Sequence, residues 1–252
     1  MHDAIFEQVN QYIDYPVHWL PLEESGTSNW LYRGSNHQQA LILRINARDS
    51  MAFGVNRLRE KEVLNSIQPF SWSVKVLADA PKEGWCVMQH HGLGLNGAVL
   101  TESMEQQLLS AVADCQIIFS PPKLNYPDLF LDYQTALNKL PDAEEWLKKL
   151  NQLLGLFQTL PRVSSCLTHH DLHPGNFCWQ NDQLVIIDWE YAGVGNPWLD
   201  ACMLYSACQV SADKISVLPA FASLSEEAFS QGLEQAVQVG QLLEQLWFRV
   251  RA

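Results

Sequence analysis

The chain has 252 residues, 47% of them hydrophobic and 17% charged. That is the composition of an ordinary globular protein, one long enough to bury roughly 70–75% of its unfolded surface without disulfides or a structural metal. A formal net charge of −12 offers no basic footprint to nucleic acid or to an anionic membrane. Six cysteines without a CxxC pair read as reduced thiols, the opening MHDAIFEQVN lacks the basic and apolar regions of a signal peptide, and no run reaches about 18 apolar residues. A cytoplasmic protein with no membrane partner is expected.

The first third reads as strands. HWLPLEE (18–24), NWLYRGS (29–35) and ALILRIN (40–46) are apolar and aromatic runs separated by Gly, Ser and Asn turn signals. NRLREKEVLNSI (56–67) changes to helical spacing, with Leu58, Val63, Leu64 and Ile67 as its apolar positions. WSVKVLADA (72–80) and GWCVMQH (84–90) return to strand. After a Gly-rich connection, helices are expected over 102–119, 142–160, 198–209 and 226–249. In the second of these, Asp142 at the N-cap and Glu145 three residues on make a capping box, and Trp146, Leu147, Leu150, Leu153, Leu154 and Phe157 form a core stripe. The boundary falls near residues 88–93, between a sheet-rich lobe (1–90) and a mostly helical lobe (91–252), an α+β architecture.

The GxGxxG of HGLGLNG (Gly92, Gly94, Gly97) has no βαβ unit after it and follows the fifth strand, so a flexible connection is a better reading than a phosphate loop. The chemistry concentrates in LTHHDLHPGNFCWQNDQLVIIDWEYAG (167–193). A strand at 177–179, a polar turn at 180–183 and a strand at 184–187 make a hairpin, which sets Asn176 and Asp188 side by side at its open end. One amide and one carboxylate suit Mg²⁺ bridging substrate phosphates. Asp171 stands five residues before Asn176, the D-x-x-x-x-N spacing of phosphoryl-transfer catalytic loops, where the Asp accepts a hydroxyl proton and the Asn holds metal. From the residues alone two other readings stay open: a zinc cluster of His169, His170 and His173 with Asp171, or Asp171 as an N-cap ahead of Pro174.

HHDLHPGN (169–176) followed by IDWEYAG (187–193) resembles the aminoglycoside phosphotransferase and choline kinase superfamily, and IDWEYAG is similar to bacterial choline-type and thiamine-type kinases. The sheet-rich lobe and GVNRLREKEVL (54–64) also look like that family. The resemblance implies a bilobal protein-kinase-like fold that uses ATP and Mg²⁺ to phosphorylate the hydroxyl of a small alcohol. It makes Asp171 the catalytic base, Asn176 and Asp188 the Mg²⁺ ligands, and Asp200 a brace for the catalytic loop. Arg44 occupies the place of a phosphate-binding lysine, with Glu60 as its ion-pair partner and Glu62 as the alternative. Gly26, Thr27, Ser28 and Asn29, in the first hairpin turn, are expected to cover the nucleotide phosphates. Trp189, Glu190 and Tyr191 are either strand-end packing or substrate contacts. Aromatic residues in an acidic chain suit a cationic alcohol such as choline, ethanolamine or thiamine. An aminoglycoside substrate, or a catalytically silent nucleotide-binding protein, is the alternative.

Overall fold

The computed structural model describes residues 2–13, 16–22, 29–35, 39–46, 53–92 and 94–251. Strands β1 (Leu20–Pro21), β2 (Asn29–Ser35), β3 (Ala40–Asn46), β4 (Val76–Ala80) and β5 (Trp85–Gln89) form one antiparallel sheet in the order β1-β2-β3-β5-β4. The period of two divides β3 cleanly. Leu41, Leu43 and Ile45 are buried in a core with Val9, Ile13, Trp19, Trp85 and Val87. Ile42 and Arg44 therefore face the opposite way, into the cleft between the lobes.

Helix α1 (Asp3–Tyr12) covers that core, an element the strand-rich reading of the N-terminus did not anticipate. Its signal was Ile5, Phe6, Val9 and Ile13, a helical stripe within a short polar segment. Helix α2 (Arg57–Ile67) is capped by the Asn56 side chain, which accepts from the Leu58 and Arg59 amides. Its buried stripe is Glu60, Val63, Leu64 and Ile67, spaced i, i+3, i+4, i+7; Leu58, expected among the apolar positions, falls on the other face and is exposed. The expected strand at 72–80 divides in two. Trp72 and Val74 pack into the core of the helical lobe, with the Ile186 amide donating to the Trp72 carbonyl at 2.9 Å, and β4 begins only at Val76. Since Val63, Leu64 and Ile67 join the same core, α2 is docked on the helical lobe although it precedes the connection at 88–93.

The helical lobe contains α3 (Glu102–Cys115), α4 (Tyr126–Leu137), α5 (Ala143–Thr159), α6 (Trp198–Ser206), α7 (Ala212–Ser216) and α8 (Glu226–Arg251), with β6 (Cys166–Thr168) paired to β9 (Gly193–Gly195). Helix α4 was not among the expected helices; its Pro127 lies in the first turn behind the Asn125 cap, where the missing N–H costs nothing. Asp142 precedes α5 but makes no cap hydrogen bond. Its backbone is not extended there, and its carboxylate goes to the Trp146 indole and to Arg249 instead, so the capping box is absent. The hairpin is β7 (Phe177–Gln180) and β8 (Gln183–Ile186), and Asn181 and Asp182 both take left-handed backbone, as a tight two-residue turn requires. The Gly-rich connection runs along this hairpin, with Leu95 donating to the Phe177 carbonyl. Among the described residues no helix is long and apolar enough to cross a membrane.

Gly232 of α8 is one of the tight points of the helical lobe: a Cβ there would lie 2.5 Å from Cζ2 of the fully buried Trp198. Helix propensity alone favours alanine by about 1 kcal/mol. Overpacking outweighs it, and Gly232→Ala is expected to destabilise by about 1–3 kcal/mol, read as a lower urea midpoint at unchanged slope. A stabilised variant would show that Trp198 is loosely held.

Candidate active site

The loop between β6 and β7 is held from below by Asp200, on the first turn of α6. Its Oδ2 accepts from the His169 amide and its Oδ1 from the His170 amide, both at 2.9 Å. Burial pushes the pKa of this carboxyl up to about 7, against the pull of those two donors. Each histidine then has a distinct task. His169 donates from Nε2 to the Ile187 carbonyl at 3.0 Å, tying the loop to the residue before Asp188, and accepts from the Asp171 amide at Nδ1. His170, in left-handed backbone (φ 68°), donates from Nδ1 to the Thr168 carbonyl and takes the Tyr126 hydroxyl at Nε2, 2.8 Å away. Tyr126 also accepts from the Asn196 amide at 2.7 Å. Burial lowers the ring pKa to about 4 for His169 and about 3 for His170. His173 caps the 3-10 turn Pro174–Asn176 by accepting the Gly175 amide, so it, and not Asp171, is the capping residue.

These contacts dispose of the zinc cluster, because the ring nitrogens of His169 and His170 are committed to protein partners. Among the described residues no three His, Cys, Asp or Glu side chains gather as a metal cage. The hairpin end does gather oxygen. Ile187 donates to the Asn176 carbonyl at 2.9 Å, which sets Asn176 beside Asp188 as the spacing predicts. Asn176 Nδ2 donates to the Asp171 carboxylate at 3.0 Å and to its carbonyl at 2.9 Å, leaving the amide oxygen as the group that can meet a cation. Half-buried Asp188 has left-handed backbone (φ 63°), and burial together with the neighbouring Glu190 pushes its pKa up to about 7. The excess of negative charge is what a divalent ion would relieve, so these residues fit Mg²⁺. Although burial works to raise it, the Asp171 carboxyl is held below the usual range by His173 and Asn176. It is an ionised acceptor at neutral pH.

Above the loop, Arg44 of β3 meets Glu60 of α2 in a bidentate pair, Nη2 to Oε2 at 2.8 Å and Nη1 to Oε1. Glu60 is buried while Glu62 is exposed, which decides between the two expected partners. Gly26, Thr27 and Ser28 lie outside the described residues; Asn29 follows them at the start of β2.

Two of the three candidate substrate residues have other occupations. Trp189 is 1% exposed, stacks on Trp72 and donates its indole N–H to the Ile186 carbonyl, so it is packing behind the site. Glu190 is 2% exposed and its Oε2 accepts from Arg57 and from Asn29, each at 2.9 Å. Its charge is therefore already matched by a guanidinium. Tyr191 does line the cleft, its hydroxyl taking the Trp247 indole N–H at 3.1 Å. Arg57 and Tyr126 are the site residues that sequence reasoning missed. Arg57 had a faint signal, its i, i+3 spacing to Glu60.

The cleft has a volume of about 1050 Å³ and contains Arg44, Glu60, Asp171, Asn176 and Asp188 on its walls. Its lining also includes Phe53 against Tyr133, and Tyr191 against Trp247, with Leu243 and Glu244 of the same helix as Trp247.

A model of the phosphotransferase enzyme family (APH) matches residues 21–230. Among solved structures, the choline kinase LicA from Streptococcus pneumoniae superposes with a TM-score of 0.70 at 16% identity, over 99% of this chain and 91% of that one. A choline/ethanolamine kinase family protein from Mesorhizobium loti gives 0.68 at 18% identity, over 97% and 84%. A ternary complex of streptomycin, ATP and APH(2")-IIa gives 0.66 at 18% identity, over 97% and 93%. At such identities the likeness is one of fold. No curated protein matches the sequence.

The buried His170 ring yields a pH prediction. Its folded pKa, about 3, lies below the unfolded value of about 6.5, so the unfolded chain binds the extra proton as pH falls between the two. His170→Asn keeps a residue tolerant of left-handed backbone and removes that proton. Below pH 6.5 the wild type is expected to lose stability relative to the variant by about 1.4 kcal/mol per pH unit, measured by denaturant unfolding at pH 7, 6 and 5. Parallel curves would mean that the ring titrates normally in the folded protein.

Proposed function

Because the chain belongs to the phosphotransferase enzyme family, we propose that it is an ATP-dependent kinase that phosphorylates the hydroxyl of a small cationic alcohol. The observation that carries this reading is the convergence of Asp171, Asn176 and Asp188 at one hairpin end, facing the Arg44–Glu60 pair across the cleft. Asp171 receives the acceptor hydroxyl, orients it and takes its proton. The hydroxyl oxygen then bonds to the γ-phosphorus of ATP, the bond from that phosphorus to the bridging oxygen breaks, and ADP leaves. Arg44 steadies the phosphates, and Gly26, Thr27, Ser28 and Asn29 are the further residues proposed to contact them. Asn176 and Asp188 hold Mg²⁺, which when bound offsets charge on the transferring phosphoryl group. Positioning and electrostatics supply most of such a rate enhancement, so a rigid loop matters more than a strong base.

The acceptor end supports the substrate class. Phe53, Tyr133, Tyr191 and Trp247 offer aromatic faces, each worth about 0.5–2 kcal/mol to a cation. Glu190 is spent on Arg57, and Glu244 is the carboxylate of that end with no ion-pair partner among the described residues. One unmatched acid beside aromatic walls suits a single positive charge on an apolar or aromatic frame, as in choline or thiamine. The several ammonium groups of an aminoglycoside would need more acids than this wall has.

ADP release with Mg²⁺-ATP across choline, ethanolamine, thiamine and an aminoglycoside tests the class. Turnover is expected with one of the first three, and Glu244→Gln is expected to raise the KM of that alcohol about 10-fold while leaving the KM of ATP in place. Turnover confined to the aminoglycoside would overturn the single-cation reading.

The loop roles separate by substitution. Asp171→Asn is expected to lower kcat by about 10²–10⁴ with Mg²⁺-ATP affinity near wild type, whereas Asp188→Asn is expected to weaken both. Calorimetric titration of Mg²⁺-ATP beside steady-state kinetics checks this. Near-normal turnover by Asp171→Asn would end the kinase reading of the loop.

A further inference from the structure

Resting on that phosphotransferase reading, we propose that Arg57 is a positioning residue that ties the phosphate-binding pair Arg44–Glu60 to the segment carrying Asp188, so that nucleotide and metal sites share one fixed geometry. One guanidinium reaches three separate parts of the chain. Its Nη1 donates to Glu60 Oε2 at 3.0 Å and to Glu190 Oε2 at 2.9 Å, and its Nη2 donates to Asn29 Oδ1 at 2.8 Å. Asn29 closes the figure by donating from Nδ2 to Glu190 Oε2 at 2.9 Å. Asn29 opens β2, Glu60 lies on α2, and Glu190 comes two residues after Asp188.

Burial gives the arrangement its weight. The Arg57 side chain is 15% exposed, and those of Glu60 and Glu190 are 3% and 2% exposed. Both Arg44 Nη atoms are directed at Glu60, so Arg57 is the guanidinium left to match Glu190. A lysine could not serve equally, because a single ammonium cannot reach three acceptors in a planar fork. Arg59 makes a second tie in the same direction, from Nε to the Ala192 carbonyl at 2.9 Å and from Nη2 to the Gly54 carbonyl at 3.2 Å. In the phosphoryl-transfer template the ion pair and the metal-binding Asp must be in place together. Here α2 is stapled to residues 190–192, and the two conditions become one.

The test is Mg²⁺-ATP titration and steady-state kinetics on wild type, Arg57→Gln, Arg57→Lys, Glu190→Gln and the Arg57→Gln/Glu190→Gln double variant. Arg57→Gln is expected to raise the KM of ATP and lower kcat, each by about 10-fold or more, with the KM of the alcohol within about twofold of wild type. Arg57→Lys should recover part of the loss. The double variant should be no worse than Arg57→Gln alone, because its partner charge is removed with it. If Arg57→Gln does not fold, Glu190→Gln carries the comparison with the same loss expected in the ATP parameters, and Arg57→Lys with a smaller one. Wild-type ATP parameters in the folded variants, or strictly additive losses in the double variant, overturn the proposal. So does a loss confined to the KM of the alcohol, which would return Glu190 to reading the acceptor. A wild-type protein that binds no Mg²⁺-ATP overturns the phosphotransferase reading itself, and it is recognised before any variant is compared.

Discussion

Two carboxylates, Glu60 and Glu190, lie at 2% exposure between the lobes, and their burial is tolerable because Arg44 and Arg57 lie against them. An unmatched charge in such a place costs several kcal/mol, so each element that supplies a partner is constrained by it. Helix α2 must dock on the helical lobe for Arg57 to reach Glu190, and Val63, Leu64 and Ile67 provide the apolar contact that docks it. Strand β3 must turn its odd-numbered leucines and Ile45 inward, which aims Arg44 at the cleft. Local hydrophobic patterning and long-range charge matching thus point to the same arrangement.

The loop between β6 and β7 is held differently. His169 and His170 serve as rigid neutral hydrogen-bonding plates, each ring fixed by a carbonyl on one side and a second partner on the other. Left-handed backbone at His170 and Asp188 is a local cost of about 1–3 kcal/mol each, offset by those contacts and by Asp200 beneath the loop. Gly195 makes the packing possible. A Cβ there would fall 2.5 Å from the Tyr126 hydroxyl oxygen and 2.8 Å from the His170 ring. The result is that Asp171 projects from a support whose two histidine rings stay neutral near neutral pH.

Folds shared at 16–18% identity with choline, ethanolamine and aminoglycoside phosphotransferase structures say little about the acceptor, since function resides in the site grafted on a fold. In this chain α4, α8 and the residues on either side of Asp188 contribute aromatic rings to the cleft wall, with Glu244 as the acid of α8 among them. Fixing the Tyr191 hydroxyl by the Trp247 indole joins α8 to the IDWEYAG segment. The aromatic wall of the cleft is thereby attached to the segment that carries Asp188.

The short-range chemistry was legible in the sequence alone. Asp171, Asn176 and Asp188 are linked by a five-residue spacing and one hairpin, and both are local rules that tertiary packing did not alter. The β2–β3 pairing and the helical periodicity of α2, α3, α5, α6 and α8 were legible for the same reason. What the sequence left open depended on contacts between residues far apart in it. Glu60 and Glu62 differ only in which face of α2 meets β3, and Arg57 becomes a site residue only because residue 190 arrives 133 positions later. Trp189 and Glu190 read as either packing or substrate contacts, and in the structure they are a core ring and one half of a buried ion pair. A side chain's partners are set by where the whole fold buries it, and burial is a property of the tertiary structure that no local window of residues contains.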